Sequence, residues 1–196
     1  MTASIDEFLR QHRATGSEKA DGYSPDAFAK LTDQEREIVF TRLANELPWS
    51  AQWMFLVDAV RAAALLKAEE QAMRGDPYGD VFMIQENLVT HTGDLLYQKH
   101  MIEDYPNYIE KKRPLVVDAV HRTPTNADTI RFFKRVILVE ANSSAVVRAS
   151  RHLLDSLGLP RATEPDKKHY DALLSNLRSD DSQLKQQTLV QIGVVT

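Results

Sequence analysis

Two Asp-x-x-His spacings, Asp118/His121 and Asp166/His169, are the first places to look for chemistry in this chain. Residues i and i+3 share a helix face, so each pair can present a carboxylate beside an imidazole. Carboxylate-bridged di-metal bundles use such pairs, but as Glu-x-x-His with a further Glu from each of two other helices. Here Asp replaces the longer Glu, only Glu86 or Glu103 could be enlisted, and Lys and Arg crowd both pairs. Exposed ion pairs are the reading these residues support. His91 and His100 flank Asp94, with Glu103 and Asp104 just beyond. Their spacing is about two and a half helical turns, so on one helix they face opposite ways. Ser143 and Ser144 lie in no G-x-S-x-G elbow, and helix capping explains them. No Walker loop, GxGxxG or HExxH occurs. The residues therefore predict no catalytic group, no metal and no cofactor, and a protein that is not an enzyme.

The other candidate is a surface. Glu69, Glu70, Asp76, Asp80, Glu86 and Asp94 surround the RGDPYG turn at residues 74–79, beside Tyr78 and Phe82. Solvated helix ends account for carboxylates in such places. The functional reading is a partner-binding ridge, in which the carboxylates steer a basic partner and Tyr78 or Phe82 anchors it. Trp49 and Trp53, four apart, share a helix face and read as core at the start of a long helix.

Composition limits the partners. The net charge is −4, spread unevenly: residues 1–100 hold 10 Lys and Arg against 16 Asp and Glu, and residues 101–196 hold 14 against 12. The acidic balance of −6 in the first half, against +2 in the second, argues against nucleic acid, which needs a basic face. It suits a basic protein partner. There are no cysteines, which removes disulfides, zinc-thiolate sites and thiol nucleophiles and fits a reducing, cytoplasmic setting. The N-terminus is polar and amphipathic, unlike a secretory signal. The longest apolar run, Trp53 to Leu66, carries Asp58 and Arg61 and is too short to cross a bilayer.

The elements that would carry these residues are helices. The clearest pair lies between Pro124 and Pro160, where Asn126 or Thr125 can cap a helix with Ile130, Phe133, Ile137 and Ala141 on one stripe. Asn142 or Ser143 then starts a second with Val146, Ala149, Leu153 and Leu157, stopped by Gly158 and Pro160. A first helix over residues 4–14 takes Ser4 as cap, and Ser24-Pro25 opens a short turn. Thr32 and Glu35 form a capping box for a helix that ends at Pro48. One long helix is expected from Ser50 to Met73, then a face made by Val81, Ile84, Leu88 and Leu95 that Gly93 can break. The helix after it includes Leu115, Val116, Ala119 and Val120; Asp166–Arg178 is another, and Ser179 caps a last one before a fraying tail. No segment alternates with period two. The expected fold is a single all-α domain over 1–196 with eight to ten helices. Antiparallel helix pairs recur every 35 to 45 residues, as a short HEAT-like α-solenoid or a compact orthogonal bundle.

The opening, IDEFLRQHRA followed by YSPDAFAKLTDQEREIVFTRLANEL, resembles small bacterial HEAT-repeat-like immunity proteins of polymorphic toxin systems, type VI or contact-dependent. The resemblance covers Ile5 to Leu47. In that group a short DEFL helix, an Asp-Tyr-type loop and an LTxEER helix precede tandem α-hairpins. It implies a non-enzymatic protein that neutralises a cognate, nuclease-like toxin by direct contact, with no shared catalytic residues. Two other functions stay open: a cytosolic helical scaffold or regulator, and a HEAT-like DNA-repair glycosylase. The last would need a basic concave surface.

Overall fold

The computed structural model describes residues 1–194. Those residues form twelve α-helices and two single-turn 3₁₀ segments, and no strand. The helices are α1 (Ala3–His12), α2 (Gly16–Ala20), α3 (Asp33–Ala44), α4 (Ala51–Val57), α5 (Ala59–Met73) and α6 (Val81–Thr92), followed by α7 (Leu96–Asp104), α8 (Arg113–Arg122), α9 (Ala127–Val139), α10 (Ser143–Ser156), α11 (Glu164–Leu177) and α12 (Ser182–Gln191).

Two apolar clusters make the core. Ile5, Phe8, Val39, Leu43, Met54 and Leu66 belong to the first; Val117, Phe133, Ile137, Leu153 and Leu177 belong to the second. They share α7, which gives Tyr97 to the first and Met101 to the second, and above all α6. Helix α6 gives Ile84, Leu88 and Val89 to the first cluster and Val81 and Phe82 to the second. From α3 onward each helix packs on its neighbours in sequence, and alternate helices also touch: α4 on α6, α6 on α8, α8 on α10, and α7 on α9. Such i, i+2 stacking builds two layers, as in helical arrays in which each unit leans on the next.

Local chemistry explains most helix ends. Thr32 and Glu35 close the capping box of α3, and Asn126 caps α9 through the amides of Asp128 and Thr129. The Asn142 side chain accepts from the Ala145 amide to start α10. The first and last caps differ from expectation. Thr2 caps α1, which frees Ser4 to donate to the Asp26 carbonyl at 2.8 Å. Asp181 caps α12 through the amides of Gln183 and Leu184, in place of Ser179.

The expected long helix from Ser50 to Met73 is two helices. Asp58 is extended (φ −155°, ψ 100°), and its carboxylate accepts from the Arg61 amide at 3.0 Å, which starts α5 afresh. An Asp competes with the helix for its own backbone donors, so it suits a cap better than an interior. A second break follows at Gly93 (φ 72°), which ends α6 and leaves Leu95 exposed, off the stripe it was expected to share. These two breaks and the five-residue α2 raise the number of helices above the expected range. Gly158 (φ 68°) follows α10, as expected from sequence, but Leu157, expected on the buried stripe, is exposed at that end. The expected tail at 193–196 lies partly outside the described residues; within them Val194 is buried. Trp53 is buried, and its indole N–H donates to the Tyr23 carbonyl at 3.2 Å. Trp49 lies beside it at 4.6 Å between ring centroids.

Candidate functional site

The RGDPYG turn is built by one local polar contact and two from the segment before α8. The Asp76 carboxylate accepts from the Tyr78 amide at 2.9 Å, and the Ile109 amide donates to the Pro77 carbonyl at 3.2 Å. Lys112 pairs with Asp80 at the start of α6. The chain is thus pinned on both sides of Tyr78, whose side chain nevertheless stands 70% exposed.

The eight residues of the expected ridge do not form one surface. Phe82 is buried against Tyr108 in the second core cluster, so it cannot anchor a partner. Glu70 is buried too, and cannot steer one. Phe82 points inward because α6 has core on two sides, whereas Glu70, on α5, is held inside by Gln85 and His100. Asp80 is neutralised by Lys112, and Glu86 is held by Arg122 through two bonds of 2.5 and 2.6 Å. Asp94 accepts from the Leu96 amide at 3.0 Å, at the far end of α6 from the turn. Twelve residues of helix separate the two places, roughly 18 Å at 1.5 Å per residue. What remains at the turn is Tyr78 with exposed Asp76, while part-exposed Glu69 lies one turn back on α5.

Glu70 belongs instead to a polar network at the seam of the two clusters. Gln85 donates from one nitrogen to Glu70 at 3.0 Å and to Asp104 at 3.1 Å. His100 contacts Glu70 at 2.9 Å through Nδ1. Arg74 donates to Asp104 at 2.9 Å and to Glu103 at 3.0 Å. The network ties α5, α6 and α7 together beside the apolar contacts that Leu66, Ile84 and Tyr97 make in the first cluster. His91 takes no part: it stacks on Phe55 at 4.0 Å, and burial lowers its pKa.

The two Asp-x-x-His pairs have different fates. Asp166 closes the capping box of α11 with Thr163, and His169 is exposed. Asp118 and His121 meet partners that the sequence spacing did not reveal, His152 and Asp155 on α10. His152 Nε2 lies 2.8 Å from Asp118, a separation of 34 residues. The His121 and His152 rings stack at 3.9 Å with 13° between planes. Donor atoms of His121, His152 and Asp155 all fall within 4.8 Å of one another. Arg148 pairs with Asp118, Arg161 with Asp155, and the Tyr170 hydroxyl donates to Asp155 at 2.8 Å. Burial pushes His152 down to about 4, against the pull of the nearby Asp155 carboxylate. Burial, and then the neighbouring His152, lower His121 as well. Both imidazoles are therefore neutral at pH 7. The signal in the sequence was the mirror spacing, Asp118-x-x-His121 against His152-x-x-Asp155. It forms one cluster because α8 and α10 run the same way with a 34-residue offset.

A shallow apolar groove of about 710 Å³ runs along α9, lined by Ile130, Leu138, Val139, Leu157 and Val194, with Arg131, Lys134 and Arg135 at its edge. Ser143 and Ser144 are exposed at the start of α10, and no nucleophile elbow surrounds them. No known family, curated protein or solved structure matches the chain.

Proposed function

We propose that this chain is a non-enzymatic binding protein that acts by direct contact, and that its partner is a bacterial toxin domain, which it neutralises in the cytoplasm. The observation that carries the contact reading is the Tyr78 turn. A large aromatic stands exposed on backbone pinned by the Asp76–Tyr78, Pro77–Ile109 and Asp80–Lys112 contacts. A preformed aromatic loses little freedom on binding, and Tyr is among the residues that dominate interface energetics. The toxin reading rests on the resemblance of Ile5–Leu47 to immunity-type proteins. Glu69 and Asp76 supply what steering charge the surface keeps. Among the described residues no helix is long and apolar enough to cross a membrane.

Co-expression with the product of the neighbouring gene tests this. The wild-type chain is expected to protect cells, and Tyr78→Ala to protect them less at equal abundance. If no neighbouring product is toxic or binds, the toxin reading falls. The basic-edged groove along α9 then favours a second reading, a helical scaffold that carries an acidic partner segment.

A further inference from the structure

The cluster between α8 and α10 is not used by the contact reading and has the chemistry of a separate site. We propose that His121, His152 and Asp155 bind a divalent transition-metal ion, with Asp118 orienting His152. Two imidazoles and one carboxylate suit zinc, cobalt, nickel or iron(II), whereas calcium and magnesium prefer all-oxygen sites.

Three features converge on that assignment. First, the donor atoms already lie within 4.8 Å of one another, and ligands about 2.0–2.1 Å from a tetrahedral ion stand roughly 3.4 Å apart. A contraction of up to about 1.4 Å closes the site. Second, Asp118 takes the Nε2 proton of His152 at 2.8 Å, which leaves Nδ1 as a lone pair. A carboxylate behind a ligating imidazole is the usual outer partner in metal sites. Third, Nδ1 of His152 and Nδ1 of His121 are both buried with no hydrogen-bond partner. Buried acceptors are nearly always satisfied, and an ion would satisfy both at once.

The stacked rings define the movement required. An ion lying in the plane of one stacked imidazole lies out of the plane of the other, so one ring must turn. Asp118 holds His152, whereas no hydrogen bond among the described residues holds His121. His121 is therefore the ring that swings. Asp155 is ready on one side, because Tyr170 and Arg161 both occupy Oδ1 and leave Oδ2 for the ion. The positive charges of Arg148 and Arg161 oppose the ion, and the two carboxylates offset them. The bound ion would clamp α8 to α10.

Calorimetric titration of chelator-treated protein with Zn²⁺ tests the site, with Co²⁺ as an optical probe. One ion per chain is expected, with a tetrahedral cobalt spectrum. His121→Phe and His152→Phe, which keep an aromatic ring in the stack, should abolish both signals. Asp118→Asn should weaken binding about 10- to 100-fold, and His169→Ala, at an exposed position of α11, should leave it unchanged. Nitrogen-15 spectra of the wild-type histidines serve if a variant fails to fold, and Nδ1 of both His121 and His152 should shift with one equivalent of Zn²⁺. The proposal is overturned if no stoichiometric ion binds. It is equally overturned if binding survives both Phe variants, or if the ion shifts other histidines instead.

Discussion

Single residues carry the most direct consequences of this packing. Leu153 is fully buried in the second cluster. Leu153→Ala should cost about 2–5 kcal/mol, because the lost transfer energy adds to the cavity left behind. Urea unfolding measures this, and a change below about 0.5 kcal/mol would mean the stripe is not core. Gly22 is a second test. It sits at φ 80°, and a Cβ there would lie 2.3 Å from Cζ2 of Trp53. Gly22→Ala should destabilise by about 1–3 kcal/mol through backbone strain and overpacking together, whereas a neutral substitution would show that Trp53 moves freely. At the surface, Tyr78→Ala should speed dissociation from the partner by about 2 kcal/mol, roughly 30-fold, with little change in melting temperature. The charge test must spare residues that work inside the fold. Reversing Glu70 or Asp80 would break Gln85, His100 or Lys112 contacts and confound binding with stability. Glu69→Lys with Asp76→Asn keeps an acceptor for the Tyr78 amide and should slow association alone.

At the scale of elements, the sequence disclosed most buried stripes and those helix ends that are set by local capping. The boxes at Thr32 and Asn126, the Asn142 cap and the Gly158 turn need only near neighbours, and all are where their residues put them. The break at Asp58 was hidden, because Trp53 to Leu66 is apolar enough to read as one helix. The inward turn of Phe82 was hidden for another reason. A wall shared by two clusters buries opposite sides of one helix, and period alone assigns only one. The His121–His152 stack needed the offset between two helices, which spacing within either cannot supply.

One element contact has a pH signature. Glu35 accepts from the Thr32 amide, and also from the Thr2 amide at 2.7 Å and the Thr2 hydroxyl at 2.9 Å, joining α1 to α3. These donors, the Thr32 amide first, hold its carboxyl down to about 2. A carboxyl lowered in the folded state stabilises above its ordinary value and loses that contribution as pH falls through the lowered one. The melting-temperature gap between wild type and Glu35→Gln should therefore be full above about pH 5 and close toward pH 2. A gap independent of pH would show that Thr2 does not hold the carboxylate.

The whole molecule reads as two apolar clusters joined through α6 and α7, with a polar seam at Gln85 and an exposed aromatic at the RGDPYG turn. The acidic excess of the first half was legible by counting, but its use was not. Arg122 and Lys112 from the second half cross over and neutralise Glu86 and Asp80. The central claim is that such a body acts by occupying a partner, one to one, and not by turnover. Titrating purified toxin activity against this chain tests it most directly. The account predicts a linear loss of activity with a breakpoint at one chain per toxin, shifted to higher ratios in Tyr78→Ala. Complete inactivation by a small fraction of an equivalent would contradict it, since only a catalyst can do that.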